Sequence, residues 1–352
     1  MKLCGLLAGL FLVAHSAFAA TLREAIRAGE LEQVRASLDA GASANETDDL
    51  GATPLHDAVW LGEEAIVRLL VDRGARVDSK HTEAGSTPLL FAALRGHTAI
   101  LEFLVEHGAG VNAANSAGGT SLHFAARRGD VAIARILLEH GADAGRRDRE
   151  GVSPLDEAAS QGNAELAGVL LEHDRDTGSA LMAADSLSML SLLLEQGRYS
   201  PEKLGERLLR AVSKNHVGAV RLLLQRGAPA RTPGGVQFAA ARGLAGVAAA
   251  LLDAGADANQ PDPAGVPPLH EAALQGHADV IRVLVAHGAK LDQTEPETGS
   301  TPLYGAASMG RLEVVRVLLD LGADRTRRSN SGRTPREAAA SSGFSEIVEI
   351  LR

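Results

Sequence analysis

The chain of 352 residues is poor in the side chains that usually stabilise small exported proteins or line catalytic sites. Its single cysteine, Cys4, lies in the first apolar stretch, so neither a disulfide framework nor a zinc-thiolate site can form. Aromatic residues make up only 3% of the chain, which argues against large globular cores, since these usually bury many rings. Leucine, valine and alanine must do the burying. There is no basic excess: the formal net charge of -9 exerts no pull on nucleic acid or anionic lipid, and both are excluded as expected partners. Long apolar runs are also missing. The longest, Leu3 to Ala14, has 12 residues, short of the roughly 18 that a spanning helix needs.

That run has Lys2 before it and Ala17-Phe18-Ala19 after it, the three regions of a secretory signal peptide. Residues 1–19 are expected to be cleaved, taking the only thiol with them and leaving a soluble product with no stable membrane insertion. A lipid anchor would need its cysteine at the end of the apolar run, whereas Cys4 is at its start. Arginine outnumbers lysine 30 to 5 and alanine is abundant, an association with GC-rich bacterial coding. The expected compartment is a periplasm, with full secretion the alternative.

What is present is a repeat. A Gly-Ala pair follows leucine-like residues at Gly41, Gly74, Gly108, Gly141, Gly227, Gly255, Gly288 and Gly322, with degenerate copies at His173 and Gly197. Successive spacings are 33, 34, 33, 32, 24, 30, 28, 33 and 34 residues. A second marker precedes these turns: TPLHDA from Thr53, TPLLFA from Thr87, TSLHFA from Thr120, SPLDEA from Ser153, PPLHEA from Pro267, TPLYGA from Thr301 and TPREAA from Thr334. Each is followed by a glycine at the ninth position, from Gly62 to Gly343.

Thr or Ser suits a helix N-cap, where its hydroxyl accepts an otherwise unpaired backbone N–H, and Pro suits the next position. The ninth-position glycine ends the short helix in a left-handed conformation. A second helix follows, with aliphatic residues at helical spacing such as Ile133, Ile136 and Leu137. Alanine pairs such as Ala92-Ala93 let neighbouring helices approach closely.

These markers resemble the ankyrin family over 21–352. The resemblance implies an all-α solenoid of stacked helix-turn-helix units with hairpin-like fingers, in which no unit buries its apolar face alone. A single solenoid over 20–352 is expected, with about eleven units. The stretches 21–50 and 332–352 read as polar-faced capping units. In the middle, 174–235, the marker vanishes and the connections shorten. Drift accounts for this; a functional reading is that missing fingers open a notch.

Catalytic motifs are lacking: there is no HExxH, GxSxG or GxxxxGK[ST]. Ser200-Pro201-Glu202-Lys203 matches SxxK without the companion motifs of serine enzymes. Histidines such as His107 and His140 recur one repeat apart, roughly 8–10 Å in packed helices and too far to share a zinc ion. His56, His123 and His270 are expected to pin the opening turn of each unit. No enzyme activity, cofactor or metal is expected.

The resemblance also implies a partner: another protein, bound on the concave surface of finger tips and first helices by a monomer. The family's surface-facing positions are the seventh and eighth after the opening Thr, with the fourth beside them. Carried over, they gather Trp60, Phe91, Leu94, Arg95, Phe124, Arg127 and Arg128, residue types that often anchor interfaces. Finger tips alternate in sign, acidic at Glu46 and Glu295, basic at Arg147 and Arg328. The expected function is a non-enzymatic protein-binding module in an exported compartment, acting as scaffold, protective partner, inhibitor or immunity protein. The alternative is an enzyme or small-ligand binder using the irregular middle.

Overall fold

The computed structural model describes residues 22–352; the expected leader, 1–19, lies outside them. The described residues are helical, apart from turns and one isolated bridge between Ala114 and Thr120. They fall into two compact units, one ending at Gly197 and the other running Arg198–Arg352.

In the first unit, 22–28 precedes Leu31–Asp39, and Pro54–Leu61 pairs with Glu64–Asp72, Pro88–Arg95 with Thr98–Glu106, Ser121–Arg128 with Val131–Glu139, and Pro154–Gln161 with Ala164–His173. First helices pack on first helices and second on second, so each pair is covered by its neighbours. The second unit repeats this from Gly235–Arg242 and Ala245–Asp253 to Pro335–Ser341 and Ser345–Ile350.

Local chemistry sets these boundaries. At Thr53 and Thr120 the cap is reciprocal, with the N3 histidine side chain returning to the cap N–H. Asp156 does this for Ser153, and Glu337 for Thr334. Gly62 and Gly96 end their helices at φ 81° and 79°, where an L side chain would be strained. Space is short there too. A Cβ on Gly62 would lie 2.7 Å from the His97 ring, and one on Gly96 2.4 Å from the Arg128 guanidinium. The next repeat thus reaches back onto each cap, as His277 does at Gly243 and Phe344 at Gly310. The alanine pairs 92–93, 125–126 and 158–159 are fully buried, which lets thin layers close with few rings.

The connections are fingers closed by single backbone bonds. Asp48, Asn115, Asp148, Asp262 and Ser329 each donate N–H to the carbonyl four residues on. Two fingers are one residue longer: His81 N–H reaches Ser86 O at 2.9 Å, and Glu295 N–H reaches Ser300 O at 3.1 Å. Side chains four residues after the Gly-Ala glycine add rungs between repeats. Asn45 donates to Gly74 O at 2.8 Å and accepts from Arg76 N–H at 2.8 Å. Asn112 and Asn259 do the same one repeat on, and Asp78 and Asp292 accept from the next turn.

The middle departs from this pattern. Ala180–Ala183 is a single turn before Leu187–Gln196. Ser200 caps a 13-residue helix, Pro201–Ser213, by accepting from Lys203 N–H at 3.3 Å, so the SxxK match is a helix start.

Candidate protein-binding site

The seven side chains singled out from the sequence sit on three consecutive first helices of the first unit, from the fourth helical position to the C-terminal end. Trp60 is 42% exposed, and Leu94, Arg95, Arg127 and Arg128 are also exposed. Phe91 and Phe124 are half-buried and pack against the core. The phenylalanines are therefore wedges between repeats that still show a face to solvent.

Four rings converge here. Phe91 meets Trp60 edge-on at 5.4 Å between centroids and His56 at 5.5 Å, with His81 at 6.3 Å. The Arg95 guanidinium lies over the Trp60 ring at 4.8 Å, and Arg127 lies 5.9 Å from Phe124. Such cation–π pairs hold a long side chain in place while leaving its donors available.

The floor of the cluster is His56, 1% exposed. Its Nδ1 lies 3.1 Å from Thr53 N and 2.9 Å from Thr53 Oγ1, while Nε2 lies 3.2 Å from the Ser86 carbonyl oxygen in the next repeat. The ring thus pins its own opening turn and ties two repeats together. Burial pushes its pKa down to about 4, against partial support from the Ser86 carbonyl. His123 matches it, bonding Thr120 and the Val152 carbonyl, and burial lowers it likewise.

Not every predicted residue is equally free. Arg127 forms a 2.5 Å ion pair with Glu157 of the next repeat, and that hydrogen bond raises its already high pKa. Arg128 donates to Leu94 O at 3.3 Å and covers Gly96. It stacks repeats together, leaving Trp60, Phe91, Leu94 and Arg95 as the contiguous patch. Sequence reasoning missed His81; Glu157 holds the fourth position that marks the same face, as Phe91 and Phe124 do in their repeats, but its pairing with Arg127 was not foreseen. The basic finger is also occupied: Arg147 binds Asp176, Ser179 and Asp156.

The shortened connection before Gly235–Arg242 leaves a notch of about 560 Å³, lined by Pro233, Val236, Gln237, Pro261 and Pro263. Its one carboxylate, Asp262, accepts from Ala264 and Val266 N–H through Oδ1, which ties it to its own finger. Among the described residues no group of three or more His, Cys, Asp or Glu could hold a metal, and no helix is long and apolar enough to cross a membrane.

A family model described as ankyrin repeats (3 copies) matches residues 19–81, 77–148, 110–180, 236–329 and 297–352, leaving 181–235 unmatched. Protein phosphatase 1 regulatory subunit 27 of Mus musculus is 38% identical over 90 residues, 26% of this chain and 57% of that protein. The Homo sapiens protein of the same name is 37% identical over the same shares. The chain therefore spans little more than half the length of these curated relatives.

Proposed function

The chain belongs to the ankyrin-repeat family, and from that premise we propose that it is a non-enzymatic module that binds a protein partner through the exposed patch of its first unit. The observation that carries this reading is Trp60, held edge-on by Phe91 and covered by Arg95, with Leu94 beside it. A large aromatic presented on a rigid helix loses little entropy on binding, and aromatic and arginine side chains are the usual interface anchors. The patch suits a partner surface that combines an apolar pocket with acidic groups.

The module works in an exported compartment, a reading supported by the leader-like sequence 1–19. Its role is that of a scaffold, protective partner or inhibitor of an exported protein. The named relatives are regulatory subunits of an enzyme, which favours regulation of a partner enzyme over passive scaffolding.

The test immobilises the chain without residues 1–19 and captures from the exported fraction. Trp60→Ala combined with Arg95→Ala is expected to lose the captured partner while unfolding free energy falls by about 1 kcal/mol or less. Unchanged capture would place the binding face elsewhere. A collapse in stability would show the two positions to be core. Fractionating cells for the cleaved chain tests the compartment.

A further inference from the structure

The second unit contains a counterpart of the aromatic patch, built on the same repeat register but with the opposite chemistry. His270 corresponds to His56, Leu274 to Trp60, Glu295 to His81, Ser300 to Ser86, Tyr304 to Leu90 and Gly305 to Phe91. The two longer fingers are the ones that frame these two places. Where Phe91 fills the space in front of His56, Gly305 supplies no side chain. A cavity of about 350 Å³ opens there, lined by His270, Leu274, Glu295, Glu297, Tyr304 and Ser308 among others.

Its polar groups lack partners of opposite charge. Neither Glu295 nor Glu297 forms an ion pair with a described residue. The Tyr304 hydroxyl makes no hydrogen bond to one either. Glu295 is fixed in position by Thr298 N–H at 2.7 Å, Glu297 N–H at 2.8 Å, and the hydroxyls of Thr298 and Ser300. Partial burial acts to raise its pKa, but these bonds outweigh it and hold the carboxyl at about 2, anionic at any physiological pH. His270, 3% exposed, lies in the cavity wall; its Nε2 is 3.0 Å from Ser300 O, and its Nδ1 is buried without a partner. Pro267 is the cause, because it offers neither the N–H nor the hydroxyl that Thr53 gives His56.

We propose that this cavity is a socket for an arginine side chain of the protein partner. Leu274, Pro302 and Gly305 take the aliphatic stem, and Glu297, the Oε2 of Glu295 and the Tyr304 hydroxyl take the guanidinium. Guanidinium is chosen over ammonium because it is more weakly hydrated and its planar donors match a carboxylate fork, as a half-apolar slot requires. The inference rests on the protein-binding reading, but its test does not use the aromatic patch.

The probe is the capped tripeptide acetyl-Gly-Arg-Gly-amide, titrated into the full chain while the amide resonances of Thr298 and Gly305 are followed. Saturable shifts with a Kd of about 1 mM are expected. The citrulline analogue, neutral and of the same shape, should bind about tenfold more weakly or worse. Glu297→Gln, on the exposed finger, should weaken the arginine peptide about three- to tenfold. Gly305→Phe, which rebuilds the arrangement of Phe91, should abolish binding, and Trp60→Ala should leave it unchanged. Should Gly305→Phe fail to fold, Glu297→Gln and the citrulline peptide decide. Equal binding of the citrulline and arginine peptides, or indifference to both substitutions, overturns the socket. So does binding of free agmatine without the capped peptide, which would mark a small-cation site. If Trp60→Ala with Arg95→Ala still captures the partner while the arginine peptide binds as expected, the patch reading fails and the socket stands.

Discussion

His56 and His270 stand at the same register of two different repeats, each linked through Nε2 to the carbonyl of a serine one repeat on, yet their surroundings diverge. In the first unit Thr53 completes the cap and Phe91 closes the space, giving an aromatic, arginine-flanked ridge. In the second, Pro267 leaves Nδ1 unpaired and Gly305 leaves the space open, giving an acidic recess. The repeat backbone tolerates both, so surface chemistry is set by two or three side chains per repeat and the fold by the rest. Local stability and recognition are traded at the same positions.

The strongest way to break this comparison is to remove the two histidines. His56→Ala deletes bonds to Thr53 and Ser86 from a fully packed site and should destabilise the first unit by about 3 kcal/mol. His270→Ala, with one ring nitrogen already unpaired, should cost only about 1–2 kcal/mol. Equal losses in urea unfolding would show that the orphaned nitrogen has no energetic meaning.

Proton linkage gives a second test. Burial lowers the pKa of His56 to about 4, and lowers those of His123 and His270 as well. Below about pH 6.5 the unfolded chain therefore binds more protons at these sites, at His56 down to about pH 4. Their contribution is complete above pH 6.5 and is lost as pH falls, by up to about 3 kcal/mol at His56. His287 runs the other way. The Val283 carbonyl and Asp253 raise its pKa, so its contribution is present at low pH and lost as pH rises through the folded value. Unfolding midpoints at pH 7 and 5 should show a net fall, and His56→Gln should flatten it.

Next in size is Phe91→Ala. Since Phe91 is half-buried, the loss should be about 2 kcal/mol, below the 3–5 kcal/mol typical of a core phenylalanine. A full-core loss would mean the ring is structure alone. The smallest effect comes from repairing the second unit. Pro267→Thr restores a cap donor and acceptor, worth about 1 kcal/mol, and gives back part of that gain through a more flexible unfolded chain. A net gain of about 0.5 kcal/mol in the second unit's unfolding, with no change in the first, would sharpen the contrast.

Helix starts and stops were legible in the sequence because they are local: Thr53, Thr120 and Gly62 act within one turn of their own positions. The histidines were half legible. Their bond to the opening turn follows from spacing, but the bond to Ser86 or Val152 needs the next repeat in place. Stacking decided the rest. Arg128 looked like a surface anchor until its place over Gly96 was seen, and the pairing of Arg127 with Glu157 spans nearly a whole period. Gly305 stood among the face positions, but a missing side chain defines a recess only once Leu274 and Tyr304 surround it. Nor did the degenerate middle announce the long helix Pro201–Ser213, because it lacks the TPLH marker.

The side-chain rungs between repeats have a mechanical consequence. Pulled from its ends, a stack must break each backbone-directed rung together with the apolar layer behind it, so resistance comes in nearly equal steps. Within the first unit the rung positions are Asn45, Asp78 and Asn112, then Gly145, which has no side chain to offer. Under load that unit is expected to part first after Gly145, where the solvent-exposed pairs of Arg147 with Asp176 and Ser179 stand in for a backbone-directed rung. An optical-trap record whose first rip came from the 45–112 side instead would show that packing, not the rungs, carries the force.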